Sequence, residues 1–211
     1  MADKYHDTVA KSTVLTDDEK VKADVAEILA KELEGNRTHD VLKFLFNCID
    51  LTTLKATDSP QSVARFTERV NDFEEEHGDL PNVAAICVYP NFAPIVRTVL
   101  DVTEVNIACV AGGFPSSQTF PEVKVAEVAL AVEGGADEID IVLNVGRMLT
   151  GEYDEAANEV EVIRKEMDDD IVLKVIIECC FLTDEEKIKM CEIVTASGAD
   201  YIKTSTGFGG G

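Results

Sequence analysis

Basic residues and long apolar runs are both scarce in this sequence. Its 19 Lys and Arg stand against 41 Asp and Glu, so the formal net charge at pH 7 is -22. That charge argues against binding to nucleic acid and against docking on anionic membranes. No apolar run approaches the length that spans a bilayer. The N-terminus, Met1-Ala2-Asp3-Lys4, lacks the basic and apolar regions of a signal peptide.

The six cysteines form neither a metal-binding nor a disulfide pattern. The sequence contains no Cys-x-x-Cys pair, and its three histidines, His6, His39 and His77, are scattered among polar residues. We therefore expect no metal site. Most of the cysteines lie in apolar segments of a chain that is not small, so we expect reduced, buried thiols in a cytoplasmic protein.

The apolar content is sufficient for one sizeable core. Hydrophobic residues make up 45% of the 211 residues, which is typical of a globular domain. Residues 1–15 are predicted to be a flexible polar tail, and residues 16–211 a single domain. Thr16 and Glu19 have the spacing of a capping box, which predicts that the first helix starts there.

Strand-like and helix-like segments alternate along most of the chain. Several strand-like segments are nearly continuous hydrophobic runs, as in a parallel sheet with both faces covered. About six strands alternating with helices predict an α/β protein. Polar residues inside these strands favour a barrel over an open doubly wound sheet, because a barrel interior collects side chains from several strands. The predicted strands lie near residues 48–52, 84–89, 105–110, 138–143, 171–177 and 201–203.

Charged side chains interrupt three successive predicted strands, at Asp140, Lys174 and Lys203. Buried charges are costly unless they are paired, so a carboxylate and two ammonium groups in one cavity could compensate one another. Burial and mutual repulsion would lower the pKa of a lysine and leave one amine free to attack an aldehyde or ketone, with Asp140 moving protons. The alternative interpretation is a structural ion pair inside the barrel.

Polar residues near predicted strand ends provide further candidates. Asp50 is placed at the C-terminal end of the first strand, where barrel active sites lie, although it could equally cap a turn or the next helix. Thr206 and Gly207 follow Lys203. Hydroxyls and glycine amides in that position can bind substrate hydroxyls or phosphate.

Several motifs together resemble the deoxyribose-phosphate aldolase family, whose members are class I (Schiff-base) aldolases on a TIM (β/α)8 barrel. They occur in the family order from about residue 45 onwards, and the last is highly specific. The matching segments are Asp50-Leu51-Thr52-Thr53-Leu54, Ala85-Ile86-Cys87-Val88-Tyr89-Pro90, Gly135-Ala136-Asp137-Glu138-Ile139-Asp140, Leu173-Lys174-Val175-Ile176-Ile177-Glu178 and Gly198-Ala199-Asp200-Tyr201-Ile202-Lys203-Thr204-Ser205-Thr206-Gly207.

The resemblance implies reversible cleavage of 2-deoxy-D-ribose 5-phosphate into D-glyceraldehyde 3-phosphate and acetaldehyde. It implies that Lys203 forms the Schiff base, Asp140 transfers protons and Lys174 has a supporting role. Asp50 matches a residue near the substrate hydroxyls, and Thr206 with Gly207 matches part of the phosphate region. No metal or organic cofactor is expected. The expected partner is a small-molecule sugar phosphate, and self-association into a homo-oligomer stays open.

The sequence departs from the family pattern at its C-terminus. The family has two further strands, and the first of them carries a Lys-x-x-Gly-Gly segment. Its lysine keeps the nucleophilic lysine deprotonated, and its glycines bind phosphate. We therefore expect a barrel without its last two strands, which on its own would be inactive and poorly folded. Two alternatives stay open: a non-catalytic barrel remnant, and a Schiff-base aldolase for another sugar phosphate.

Overall fold

The computed structural model describes residues Tyr5, Asp7 and Ala10 and the continuous segment 17–210. From the first strand onwards, strands and helices alternate as predicted. The strands are β1 (Asp50–Thr52), β2 (Ala85–Val88), β3 (Asn106–Ala111), β4 (Glu138–Val142), β5 (Val172–Ile176) and β6 (Tyr201–Lys203). The helices are α1 (Asp18–Asn36), α2 (His39–Phe46), α3 (Pro60–Glu76), α4 (Ala93–Val99), α5 (Pro121–Glu133), α6 (Val145–Leu149), α7 (Tyr153–Lys165) and α8 (Asp184–Ala196), with short 3-10 helices at Pro90–Phe92 and Cys179–Phe181.

The six strands form one parallel sheet in which each strand pairs with its neighbours in sequence, in the order β1-β2-β3-β4-β5-β6. In a flat sheet, five spacings of about 4.8 Å would separate β1 from β6 by about 24 Å. The Asp50 carboxylate of β1 nevertheless lies 3.2 Å from the Lys203 ammonium of β6. The sheet therefore curls until its edge strands face each other, and it forms part of an α/β barrel.

The two faces of the sheet differ in side-chain size, because successive residues of a strand point to opposite faces. Large apolar side chains cover the outer face and are fully buried against the helices; they include Ile86, Ile107, Ile139 and Leu173. Small side chains cover much of the inner face, in a separate cluster of Ala85, Cys87, Ala108 and Val110. The small inner residues leave room in the barrel interior for the charged side chains of the neighbouring strands.

Local sequence signals set the beginnings of two helices. Ser59 caps α3 by accepting a hydrogen bond from the Ser62 N–H at 3.2 Å, and Pro60 occupies the first turn. A capping box starts α8: the Thr183 N–H donates to the Glu186 carboxylate at 2.8 Å, and the Glu186 N–H donates to the Thr183 hydroxyl at 3.3 Å. These contacts satisfy backbone donors that a helix start leaves without partners.

The N-terminal region differs from the prediction where it is described. Thr16 lies outside the described residues, and the Asp17 carboxylate caps α1 instead, accepting from the Glu19 and Lys20 N–H groups at 3.1 Å each. None of the residues of α1 is buried, and its large apolar side chains, which include Ile28 and Leu29, are exposed. Tyr5, within the predicted tail, is 4% exposed, and its N–H donates to Asp154 at 3.2 Å. Asp7 and Ala10 are exposed, and the other residues of that tail lie outside the described residues.

Two further observations concern the environment of the chain. In the part of the chain that the structure describes, no helix combines the length and apolar character needed to cross a membrane. All six cysteines are free thiols. Cys87 and Cys109 are buried as expected, whereas Cys48 and Cys180 are exposed because they lie outside the strands, in the loop before β1 and in a 3-10 helix.

Candidate active site

The interior of the curled sheet holds five charged side chains, here called the ion cluster: Asp50, Glu138, Asp140, Lys174 and Lys203. The strand register explains their meeting. Asp140 of β4 pairs directly with Lys174 of β5, and Ile176 of β5 pairs with Lys203 of β6. Lys203 therefore lies one layer of side chains closer to the C-terminal ends of the strands than Lys174 does.

Lys203 is the residue of the ion cluster best placed to react. It is the last residue of β6, and its side chain is 32% exposed. Its ammonium donates a short hydrogen bond to Oδ2 of Asp140, which is completely buried, and a second one to Oδ2 of Asp50 at 3.2 Å. A partly accessible amine bonded to a buried carboxylate is an arrangement that can exchange a proton and attack a carbonyl.

Lys174 lies deeper and joins the three carboxylates. Its ammonium donates to Oδ2 of Asp50 at 2.8 Å, pairs closely with Glu138, and lies 3.5 Å from Oδ1 of Asp140. Within the described residues, that Oδ1 accepts no hydrogen bond. The Glu138 carboxylate also accepts from the Asn106 side chain at 2.8 Å. The predicted structural ion pair is therefore present, in the form of a network that also includes the candidate nucleophile.

The expectation that burial and lysine repulsion would lower the pKa of Lys203 is wrong. Burial does act to lower that pKa, but the Asp140 carboxylate outweighs it and raises the pKa above its ordinary value. The pKa of Lys174 is raised for a similar reason, since burial is outweighed by Asp140, Asp50 and Glu138. Burial acts to raise the pKa of Asp50, but Lys174 and Lys203 hold it below its ordinary value. Three carboxylates around two ammonium groups favour protonated lysines.

Asp50 is at the opposite end of its strand from the predicted position. It is the first residue of β1, because the paired part of the strand begins at Asp50 rather than at Cys48. Its carboxylate bridges Lys174 and Lys203 instead of capping a turn or the next helix. Since β1 and β6 are at opposite edges of the sheet, this bridge depends on the curl of the whole sheet.

A cavity of about 480 Å³ borders the ion cluster and reaches the amino-terminal ends of the strands. Its volume is within the range of small-molecule sites. Four members of the ion cluster line it, together with residues at the starts of three strands: Asp50, Glu138, Lys174, Lys203, Asn106, Val172 and Tyr201. Among the residues that the structure describes, no group of three His, Cys, Asp or Glu is arranged to hold a metal ion.

Thr206 and Gly207 are placed in the loop after β6, outside the ion cluster. Gly207 has a φ of 84°, which glycine adopts readily. Thr206 donates hydrogen bonds from both its N–H and its hydroxyl to the carboxylate of Glu178, the second residue after the end of β5. Sequence reasoning missed Glu178. The sequence signal for it is weak: Glu178 directly follows an apolar run that ends at Ile177, but glutamate is mostly exposed in proteins.

Two more residues of the barrel interior were not selected as site residues from the sequence. Glu138 is on the same face of β4 as Asp140, and its pairing with Lys174 makes it part of the network. Cys87 packs on the inner face of the sheet, where it is 1% exposed. Burial, helped by the charge of Asp140, raises the pKa of the Cys87 thiol to about 12, so it is a neutral group beside the lysines.

Comparison with proteins of known family connects this geometry to aldolases. The model of the DeoC/LacD family aldolases matches residues 45–210. The deoxyribose-phosphate aldolase of Carboxydothermus hydrogenoformans is 40% identical over 166 residues, which are 77% of this chain and 69% of that protein. The deoxyribose-phosphate aldolase of Aciduliprofundum boonei is 41% identical over 162 residues, which are 76% of this chain and 69% of that protein.

Solved structures share the fold. The aldolase QR15 is similar with a TM-score of 0.68 and 36% identity, over 81% of this chain and 70% of that one. A putative deoxyribose-phosphate aldolase from Coccidioides immitis is similar with a TM-score of 0.70 and 26% identity, over 92% of this chain and 74% of that one. These similarities confirm the predicted barrel class. With a family match that covers most of its length, the chain belongs to the DeoC/LacD family of aldolases.

Proposed function

We propose that this chain carries the catalytic residues of a class I aldolase, whose reaction is the reversible cleavage of 2-deoxy-D-ribose 5-phosphate in the cytoplasmic catabolism of deoxyribose. The products are D-glyceraldehyde 3-phosphate and acetaldehyde. The observation that carries the proposal is the short hydrogen bond between the partly exposed Lys203 and the fully buried Asp140. Family membership and the names of the relatives support the reaction class. No metal or organic cofactor is expected, because the imine on Lys203 serves as the electron sink.

The first step requires Lys203 to lose a proton. Asp140 is hydrogen-bonded to the ammonium and can accept that proton directly. The neutral amine then adds to the C1 aldehyde of the open-chain sugar. Asp140 returns the proton to the carbinolamine oxygen, which leaves as water, and a protonated imine remains on Lys203. Because the pKa of Lys203 is raised in the ligand-free chain, the proton transfer is the step that most depends on Asp140.

The second step breaks the C2–C3 bond of the sugar. A base removes the proton of the C3 hydroxyl, and C3 becomes the aldehyde carbon of D-glyceraldehyde 3-phosphate. The electron pair of the broken bond forms an enamine at C1 and C2, which neutralises the imine nitrogen. Protonation at C2 and addition of water release acetaldehyde and restore Lys203. We assign these proton transfers to Asp140, with Lys174 supporting its charge.

Substrate binding is assigned to residues on both sides of the nucleophile. Both lysines contact Oδ2 of Asp50, and its Oδ1 accepts no hydrogen bond from the described residues. A substrate hydroxyl can therefore donate to Asp50 without displacing either lysine. The loop with Thr206 and Gly207, which follows Lys203 directly, is assigned to the phosphate end.

Borohydride trapping tests the proposed mechanism. Reduction in the presence of acetaldehyde or deoxyribose 5-phosphate should leave a stable adduct on the Lys203 peptide, detected by mass spectrometry. Lys203→Leu should abolish the adduct. Lys189→Leu, at a partly exposed α8 lysine paired with Glu185, is the control and should retain it. An adduct confined to Lys174 would refute the assignment of the nucleophile.

The alternative of a non-catalytic ion network is favoured by one observation, namely the raised pKa of both lysines. In a non-catalytic network Lys203 would stay protonated, so no adduct should form on it at any pH below its pKa. A panel of other sugar phosphates separates the proposed substrate from that of another Schiff-base aldolase.

A further inference from the structure

Glu178 is a buried carboxylate in an unfavourable backbone conformation directly after β5. Its residue is 4% exposed, and its φ of 53° and ψ of 67° lie in the left-handed region. A glutamate in this region is strained relative to glycine or asparagine, and such strain is concentrated at functional sites. The strain is maintained by the contacts of the Glu178 side chain and of its two neighbours in sequence.

The Glu178 carboxylate binds both polar donors of Thr206. The Thr206 N–H donates to its two oxygens at 3.2 and 3.3 Å, and the Thr206 hydroxyl donates to Oε2 in a short hydrogen bond. The hydroxyl oxygen of Thr206 in turn accepts from the Phe208 N–H at 3.0 Å. Through Thr206, a single carboxylate therefore orders three successive residues of the loop.

The neighbours of Glu178 extend the pairing of β5 and β6 beyond the strands. The Ile177 N–H donates to the carbonyl of Lys203 at 3.0 Å, and the Cys179 N–H donates to the carbonyl of Thr204 at 2.8 Å. The left-handed turn at Glu178 lies between these two bonds. The loop that begins at the nucleophile is thus held at both its start and its middle by residues 177–179.

We infer that Glu178 is a positioning residue for the phosphate end of the substrate, and that Thr206 is an anchor rather than a phosphate ligand. The inference rests on the proposed function and refines it. A phosphate dianion would have to compete with Glu178 for the donors of Thr206, and the two negative groups repel each other. Gly207, whose N–H donates to none of the described residues, is a donor of this loop that stays available for a phosphate oxygen.

Amide hydrogen exchange tests the positioning without requiring activity. In Glu178→Asn, the asparagine tolerates the left-handed region, but its side chain is too short to reach Thr206. We expect the Thr206 and Phe208 amides to exchange about tenfold faster or more in this variant, and less so in Glu178→Gln. Glu186→Gln is the matched control, since that carboxylate binds the N–H and hydroxyl of Thr183 in the same way. Unchanged exchange in Glu178→Asn overturns the inference.

Steady-state kinetics separate an anchor from a phosphate ligand. Glu178→Asn and Thr206→Val should each raise KM for deoxyribose 5-phosphate about tenfold, with kcat within about twofold and KM for unphosphorylated deoxyribose unchanged. The double variant should be no worse than the poorer single variant, because both changes remove the same contact. Additive effects would show that Thr206 binds phosphate itself and would overturn the inference. A lack of Lys203 trapping in the unmodified chain would instead refute the proposed function, and the exchange experiment would still decide the role of Glu178.

Discussion

Replacing Lys174 with methionine should destabilise the fold strongly, because it leaves buried carboxylates without a partner. The Lys174 side chain is 11% exposed and contacts Asp50, Glu138 and Asp140. Lys203 still serves Asp50 and Asp140 in the variant, so the group left without a cation is Glu138, whose side chain is 9% exposed. Removing one partner of a buried ion pair costs about 3–5 kcal/mol. We expect about 3 kcal/mol, since Glu138 keeps its hydrogen bond from Asn106.

Urea unfolding followed by circular dichroism measures this loss as a decrease in the free energy of unfolding. Lys31→Met is the control, because Lys31 pairs with Glu27 on the exposed surface of α1; it should change the free energy by no more than about 0.5 kcal/mol. The double variant Lys174→Met with Glu138→Gln should recover most of the loss. A loss below about 1 kcal/mol for Lys174→Met, or no recovery in the double variant, would refute the reasoning.

Three further predictions concern proton equilibria. Burial acts to lower the pKa of Lys203 and Asp140 reverses this effect, so Asp140→Asn should slow borohydride trapping and move its pH midpoint downward; an unchanged midpoint would contradict this cause. The pKa of Lys174 is raised above the ordinary value of 10.5 despite burial, chiefly by Asp140, so its contribution to stability is complete below pH 10.5 and is lost as pH rises through the folded-state value. The urea concentration at the unfolding midpoint of the unmodified chain should therefore decrease as pH rises above 10.5. The decrease should be smaller in Lys174→Met. Burial raises the pKa of Cys87 to about 12, so iodoacetamide at neutral pH should alkylate the exposed Cys48 first, as checked by peptide mapping; early labelling of Cys87 would contradict its burial.

Features that depend on short stretches of sequence could be predicted. The capping box of Thr183 and Glu186 involves residues three positions apart, and strand alternation alone puts Glu138 and Asp140 on one face. The meeting of Asp140, Lys174 and Lys203 followed from their positions in successive strands. In each case the relevant neighbours are close in sequence, lie on adjacent strands, or, as Asp140 and Lys203 do, have a single strand between them.

Features that depend on the curvature of the sheet or on a count of nearby charges could not be predicted. The contact of Asp50 with Lys203 joins the two edge strands, and no local pattern encodes it. The direction of the lysine pKa shifts was missed because it depends on how closely the carboxylates surround the two ammonium groups, and because Glu138 had not been assigned to the site. The left-handed turn at Glu178 was missed because helix and strand patterns carry no signal for a single strained residue.

The bridge from Asp50 to the last two strands has a consequence for the order of folding. The strand pairings join sequence neighbours, whereas the Asp50 contacts span 124 and 153 residues to Lys174 and Lys203. Closing such long loops is entropically unfavourable, so contacts of this kind form after the local ones. Asp50→Asn should accordingly speed unfolding while leaving the refolding rate nearly unchanged. The carboxylate assigned to substrate binding would then make contacts that form late in folding and that slow the unfolding of the chain.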